Sequence, residues 1–121
     1  MTPAECIYES AKDNMFLSLK AFINATHEWT FTPIIERGQM IGAVMQKENE
    51  LHVGFIRQGA CIRGYIKKIL GDVLHKYGSA VTKVRSSNKR GLQFCSRLGF
   101  EVTHEENGIV FMTCLRCKYV C

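Results

Sequence analysis

Residues 51–70 read LHVGFIRQGACIRGYIKKIL, and this stretch decides how the rest of the sequence is interpreted. Its first six residues place Leu51 and Val53 on one face of an extended segment, which predicts a strand. A short loop, RQGAC, comes next. After the loop, apolar side chains recur at helical spacing, which predicts a helix that ends at Tyr77-Gly78. The apolar positions of that helix are Ile62, Ile66, Ile69, Leu70, Val73 and Leu74.

The loop between this strand and helix has the composition of an anion site. The first turn of a helix carries unpaired backbone N–H groups at the positive end of the helix dipole, so a glycine-containing loop there suits a pyrophosphate. Arg57, Gln58 and Arg63 add side-chain donors. An ordinary strand-to-helix connection with surface arginines explains the same residues equally well, and the loop alone does not decide between the two.

The sequence before residue 51 predicts two helices and two strands. Thr2-Pro3-Ala4-Glu5 is a capping signature for a first helix, and Asp13 or Asn14 is expected to cap a second one. WTFTPIIER and MIGAVMQ are typical of strands joined by a turn at Arg37-Gly38-Gln39, and with LHVGFI they predict a three-stranded antiparallel meander. The apolar stripe of the second helix is expected at Phe16, Leu19, Phe22 and Ile23.

The sequence after Gly78 predicts a strand, a short helix and a hairpin. SAVTKVRS is the strand, and Asn88 is expected to cap a helix that ends at Leu98-Gly99. Phe100 to His104 and Ile109 to Leu115 are expected to pair around a turn at residues 105–108. The resulting order, ααβββαβαββ, predicts an α/β fold: one domain over residues 1–121, with a mixed, mostly antiparallel sheet flanked by helices.

With this element order in place, residues 51–70 resemble the acyl-CoA-binding segment of the GNAT acetyltransferases. In that family a strand ends in the pattern Gln/Arg-x-x-Gly-x-Gly/Ala, whose backbone amides hold the CoA pyrophosphate. Gln58 takes the Gln/Arg position and Gly59 the glycine that often comes after it. Cys61 and Arg63 stand at the two small positions, so the pattern is degenerate. The arginine could replace backbone contacts with a side-chain contact to phosphate.

A second stretch, NKRGLQFCSRLGF at residues 88–100, resembles the family motif Asn-x-x-Ala-x-x-Phe-Tyr-x-x-x-Gly-Phe. Asn88, Phe94, Gly99 and Phe100 match it, and Gly91 replaces the alanine. Cys95 stands where the family often has a tyrosine that protonates the leaving CoA thiolate. A thiol is shorter than a phenol, so a small buried side chain is the alternative interpretation of Cys95.

The resemblance implies a protein that transfers an acetyl group from acetyl-CoA to an amine or protein acceptor. It implies a base for the amine, and Glu50 and His52 are candidates because they share one strand face; Glu36 is a third, and Cys95 is the candidate acid. Each of these carboxylates and the histidine is also consistent with a solvated strand residue. The CoA contacts implied are Phe55, Ile56, Arg57, Gln58, Gly59, Ala60, Cys61, Ile62, Arg63, Asn88 and Phe94.

The sequence is short for a GNAT protein, because two helices lead directly into WTFTPIIER and the family's usual first strand is missing. Compact chains of this kind resemble GNAT-like proteins encoded by bacteriophages. The alternative function is therefore a catalytically inactive structural or host-interaction protein of a phage virion. A homo-oligomer and a phage or host protein partner are both open.

The composition limits the other function classes. With 121 residues, 46% of them hydrophobic, the chain suits one domain, and its net charge of +5 favours anionic partners. Nucleic acid is not the expected partner, since no helix-turn-helix or aromatic-rich basic strand is found. The longest apolar runs are far shorter than the about 20 residues that span a bilayer, and no signal peptide is found, so a cytoplasmic protein, in a host cell or virion-associated, is expected.

Six cysteines raise the question of metal binding. Without a secretory signal, reduced thiols are expected. Cys114-x-x-Cys117 lacks the further ligands that zinc requires, and the two positions point to opposite faces if the last strand continues. We therefore expect no metal.

Overall fold

The computed structural model describes residues 1–12, 17–56 and 62–116, without the side chains of Ile62 and Arg63. The element order is the predicted one: two helices, three strands, a helix, a strand, a helix and two strands. Six strands form one sheet in the order β1-β2-β3-β4-β6-β5, which confirms the mixed, mostly antiparallel α/β architecture. The elements are α1 (Pro3–Ala11), α2 (Leu19–Ala25), β1 (Thr30–Glu36), β2 (Gln39–Lys47), β3 (Glu50–Phe55), α3 (Ile62–Tyr77), β4 (Ala80–Arg85), α4 (Lys89–Leu98), β5 (Glu101–Glu106) and β6 (Ile109–Cys114).

The first helix begins as its sequence predicts, and the second does not. Thr2 and Glu5 form a reciprocal capping box at α1. The cap of α2 is Ser18, whose hydroxyl accepts from the amide of Ala21 at 3.1 Å, so the expected cap at Asp13 or Asn14 is wrong. Ser18 has the extended backbone that a cap requires. Residues 13–16, which include both expected caps and Phe16, lie outside the described residues.

The chain divides into two compact units. The first contains α1, α2, β1, β2 and all of β3 after Glu50. Its β1–β2 hairpin turns at Arg37 and Gly38, both with positive φ, as the tight hairpin turn requires. Pro33 is tolerated because β1 lies at the edge of the sheet. The core of this unit includes the cluster of Cys6, Ile7, Phe22, Ala43 and Met45, on which Tyr8, Trp29, Phe31 and Met40 pack.

The second unit contains the start of β3 and every element from α3 to β6. Glu50 pairs with Val81 in parallel, and β4–β6 and β6–β5 are antiparallel. Helix α3 ends at Gly78, whose amide donates to the carbonyl of Leu74 at 2.8 Å. The core of the unit includes residues of α3, the sheet and the α4–β5 connection: Ile66, Leu70, Val73, Ala80, Leu98, Phe100, Val110, Met112 and Cys114.

The last hairpin is tighter than expected. The predicted turn over residues 105–108 is wrong in extent, because Glu105 and Glu106 belong to β5 and only Asn107 and Gly108 have positive φ. All six residues of β5 are exposed, and an exposed strand can be as polar as a turn, so the polar residues Glu105 and Glu106 are assigned to the turn from sequence. No helix in the part of the chain that the structure describes is long and apolar enough to cross a membrane.

Candidate functional site

The end of β3 leads into the predicted anion loop, and two of its residues are described. Phe55 lies across the backbone of Gly42, so closely that a Cβ at Gly42 would stand 2.6 Å from the ring. Ile56 donates its amide to the carbonyl of Ile41 at 2.9 Å. The amide of Ile56 is therefore used within the sheet, while its side chain is 36% exposed and remains accessible to a ligand.

The loop itself is a prediction that the structure does not reach. Arg57, Gln58, Gly59, Ala60 and Cys61 lie outside the described residues, and the side chains of Ile62 and Arg63 are not described. Beyond the loop, helix α3 begins at Ile62. The chain thus passes from β3 through the loop and α3 into β4, which pairs in parallel with the start of β3.

The candidate base Glu50 begins β3. Its carboxylate lies 4.0 Å from the ammonium of Lys83 on β4. This pair is partly exposed, with 25% of the Glu50 side chain accessible, so the attraction is weak and solvent-screened. Glu36, the third candidate, ends the edge strand β1 opposite Gln39.

The candidate base His52 lies in a different environment. Its imidazole packs against the indole of Trp29, with ring centroids 5.7 Å apart and planes tilted by 51°. Both side chains are half-buried, and Trp29 also packs on the core cluster of the first unit. His52 is thereby held by an aromatic neighbour and still reached by solvent.

Helix α4 carries the second motif, and its start is fixed by Asn88. The Asn88 Oδ1 accepts from the amide of Gly91 at 3.0 Å, as a cap does. The Asn88 Nδ2 lies where a Cβ at Gly91 would stand, only 2.6 Å away, so glycine replaces the family's alanine here without crowding the cap. Asn88 therefore has its oxygen engaged, and its NH₂ group is the part that could donate to a ligand. Phe94 lies on the same helix and is half-buried.

Cys95 is partly buried in α4, and burial raises the pKa of its thiol to about 11. At neutral pH the sulfur is consequently protonated, which excludes a thiolate nucleophile and leaves a weak proton donor. The backbone carbonyl of Cys95 accepts the amide of Phe100 at 3.0 Å beside the left-handed Gly99, so the residue also serves in ending the helix.

Metal binding finds no support in residues 1–12, 17–56 and 62–116, where no group of three or more His, Cys, Asp or Glu side chains is arranged around one point. Cys114 is buried, and its Sγ–H donates to the carbonyl of Arg116 at 3.3 Å. Cys117 and Cys121 lie outside the described residues.

Sequence reasoning missed Trp29 and Gly42. The sequence indicates Trp29 only as the start of a strand, although a tryptophan, with an apolar ring and a polar N–H, is enriched where an apolar surface meets water. Gly42 in an apolar strand signals a close backbone approach, and here the approaching group is Phe55.

Several solved acetyltransferases share this arrangement of elements. The PaiA N-acetyltransferase of Thermoplasma acidophilum in complex with coenzyme A is 12% identical, with a TM-score of 0.63 over 94% of this chain and 88% of that one. A GNAT family acetyltransferase of Elizabethkingia anophelis with acetyl-CoA bound is 14% identical, with a TM-score of 0.64 over 96% and 92%. The ribosomal-protein-alanine N-acetyltransferase of Brucella melitensis is 15% identical, with a TM-score of 0.65 over 96% and 97%.

These likenesses define the fold: the chain has the GNAT acetyltransferase fold. No protein-family model and no curated protein matches the sequence. The fold predicted from residues 51–70 and 88–100 is therefore confirmed at the level of architecture, while the roles of the individual residues stay predictions.

Proposed function

We propose that the protein is an N-acyltransferase that transfers an acetyl group from acetyl-CoA to an amine. The observation that carries the proposal is the connection from β3 through α3 to the parallel β4, in the fold of proteins solved with CoA or acetyl-CoA bound. In the sequence, Arg57, Gln58 and Gly59 fall between β3 and the helix that begins at Ile62, and donors in such a loop suit a pyrophosphate.

In this proposal CoA binds along the segment from Phe55 to Arg63, and Asn88 and Phe94 contact the pantetheine arm. Phe55 supports it because Gly42 fixes the ring against the sheet. Asn88 supports it because the cap orients the NH₂ group, leaving it as a donor. The positive net charge of the chain attracts the CoA phosphates.

The proposed chemistry is direct attack. An acceptor in its ammonium form first loses one proton to a base, and the neutral amine then attacks the thioester carbonyl carbon and forms a C–N bond. As the C–S bond breaks, the nitrogen loses its second proton, and CoA leaves as a thiolate that takes up a proton. His52 or Glu50 takes the amine proton and passes it to solvent. Orientation of the two substrates supplies much of the acceleration, and a donor to the developing oxyanion supplies more.

The alternative is a GNAT-fold protein without catalysis. It is supported by Cys95, which takes the place of the family's phenolic acid with a side chain that is shorter than a phenol. Such a protein would be a structural or host-interaction module, and the resemblance to small phage proteins suggests a virion or the host cytoplasm as its setting.

A thermal-shift titration with acetyl-CoA and CoA separates these functions at the binding step. Ligand at about 100 times its dissociation constant should stabilise the fold by about 2.7 kcal/mol. Absence of any shift at millimolar CoA would reject the acyltransferase and favour the module. ATP at the same concentration is the control for unspecific attraction of phosphates to a basic protein.

A thiol-release assay then tests turnover. Acetyl-CoA is incubated with a polyamine, an aminoglycoside and a short peptide with a free α-amino group, and CoA release is monitored with and without each amine. Release that depends on an amine supports transfer. Cys95→Ala is expected to keep turnover within a few-fold, because a thiol is shorter than a phenol and does not reach as far toward the leaving group.

A further inference from the structure

The ring contact between Trp29 and His52 brings together two residues that are 23 positions apart in the sequence. Trp29 precedes β1, and its amide donates to the carbonyl of Thr26 at 2.9 Å, which fixes the backbone there. Its indole packs on the buried cluster that includes Phe22 and Met45. The tryptophan is thus anchored by the core, and its position determines where the imidazole can lie.

The position of His52 in β3 shows which face of the sheet it occupies. His52 and Gly54 are two residues apart and share a face. A Cβ at Gly54 would contact Ser10 and Ile7, so helix α1 covers this face at Gly54. Ala43 and Met45 of β2 belong to the same helix-covered cluster. His52 therefore lies, with Glu50, on the face of β3 that carries this helix-covered cluster.

The charged groups near His52 and Trp29 include two carboxylates, Glu28 and Glu50. Glu28, beside Trp29, pairs with Lys47 at 3.3 Å and has His27 at 3.9 Å. Glu50 lies two residues before His52 on the same strand and pairs with Lys83. Trp29 and His52 themselves are half-buried, so a solvent-borne amine can reach them.

Resting on the proposed acyltransferase function, we propose that Trp29 is a positioning residue that orients His52 as the base for the acceptor amine. The indole restricts the rotamers of the imidazole and excludes water from one of its faces. A base must lie within hydrogen-bond reach of the proton it takes, and small misplacements lower its efficiency steeply. Of the two candidate bases on β3, the ring contact with Trp29 therefore favours His52 over Glu50.

The contact itself is tested without any substrate. Trp29 is the only tryptophan of the chain, so its emission is an isolated signal. An imidazole packed against an indole quenches its fluorescence, so His52→Gln should raise the emission of Trp29 at constant pH. His27→Gln, on an exposed histidine nearby, should leave the emission unchanged. Equal emission from wild type and His52→Gln would overturn the proposed pairing.

Kinetics test the role. With the most reactive amine of the panel, His52→Gln should lower kcat by about 100-fold or more and remove the acidic limb of the pH–rate profile. Trp29→Phe, which keeps a ring, should stay within about threefold. Trp29→Leu should lower kcat about tenfold or more, shift the acidic limb, and leave the KM for acetyl-CoA unchanged.

Phe31→Leu is the matched control, since Phe31 packs on the same core cluster and makes a ring contact with Phe22. It should reduce stability much as Trp29→Leu does, without changing the pH–rate profile. If wild type is active and Trp29→Leu behaves like Phe31→Leu, the inference fails and the acyltransferase stands. If no amine is acetylated by a wild type that binds CoA, the acyltransferase fails and the inference fails with it.

Discussion

Replacing Gly42 by alanine tests a close packing contact in the first unit. A Cβ there would stand 2.6 Å from the carbonyl oxygen of Gly54 and 2.6 Å from the ring of Phe55. Both separations are about 0.9 Å inside the ~3.5 Å at which carbon atoms pack without repulsion. One obstacle is backbone, so rotation of a side chain cannot relieve it, and β2 and β3 must separate locally.

The expected loss of stability comes from two opposing effects. Overpacking of this kind destabilises by about 1–3 kcal/mol, and the backbone obstacle places Gly42→Ala at the upper end. Alanine also lowers the conformational entropy of the unfolded chain relative to glycine, and this stabilises the folded state by about 0.4–1 kcal/mol. We expect a net loss of about 2 kcal/mol, which is a large fraction of the stability of a small protein.

Urea unfolding monitored by Trp29 emission measures this loss. With a slope of about 1–3 kcal/mol per molar urea, the midpoint should fall by about 1 M. Gly71→Ala is the matched control: Gly71 lies in α3 with nothing within 4 Å of an added Cβ, and alanine should stabilise the helix by up to about 1 kcal/mol. If Gly42→Ala unfolds within about 0.5 kcal/mol of wild type, Phe55 does not lie against Gly42, and its assignment as a fixed CoA contact fails too.

Three further predictions concern the second unit. Asn88→Asp should leave helix α4 and the stability of the protein unchanged, because a carboxylate also caps a helix. The same variant loses the NH₂ donor and should therefore bind CoA more weakly in the thermal-shift assay. Asn88→Ala, which loses the cap, should be about 1 kcal/mol less stable in urea. Burial raises the pKa of Cys95 from 9.0 to about 11, so the unfolded chain loses the thiol proton at a lower pH than the folded chain does. The stability of the fold should therefore not depend on this thiol below pH 9 and should fall by about 3 kcal/mol between pH 9 and 11. Cys95→Ala should flatten that fall, and equal slopes in both proteins would contradict the burial. Gly108→Ala should lower the thermal midpoint by the equivalent of about 1 kcal/mol, since its φ of 77° is strained for any residue with a Cβ.

The features that sequence predicted well are those fixed by neighbours in the chain. The box of Thr2 and Glu5, the cap at Asn88 and the left-handed Gly99 each depend on residues within one helical turn. Before α2 the expected cap was Asp13 or Asn14, and Ser18, which was not a candidate, is the residue whose hydroxyl accepts from an amide of the helix. Polarity alone misassigned the start of the last turn, because an exposed edge strand is as polar as a loop.

The site was predictable only in part, because its contacts join distant segments. The sequence identifies His52 as a candidate base by strand parity, but the partner that distinguishes it, Trp29, is determined by how α1 and α2 pack on the sheet. Likewise Phe55 is indicated by a family motif, whereas its support, Gly42, depends on the approach of two strands. The alternation of residues along a strand predicts which face a side chain lies on, whereas the packing of distant segments determines which groups it meets there.

The chemistry of the two proton transfers explains how a site with Cys95 could still work. A thiolate is a good leaving group at neutral pH, since an ordinary thiol has a pKa of about 8.5 and solvent can supply the proton. An acceptor amine with a pKa of about 10.4 is a different case, because at pH 7 only about one molecule in 2,500 carries the lone pair. The demand for catalysis therefore falls on deprotonating the amine rather than on protonating CoA. In the proposed reaction, a cysteine at the acid position therefore costs less than the loss of His52, the imidazole that packs against Trp29, would cost.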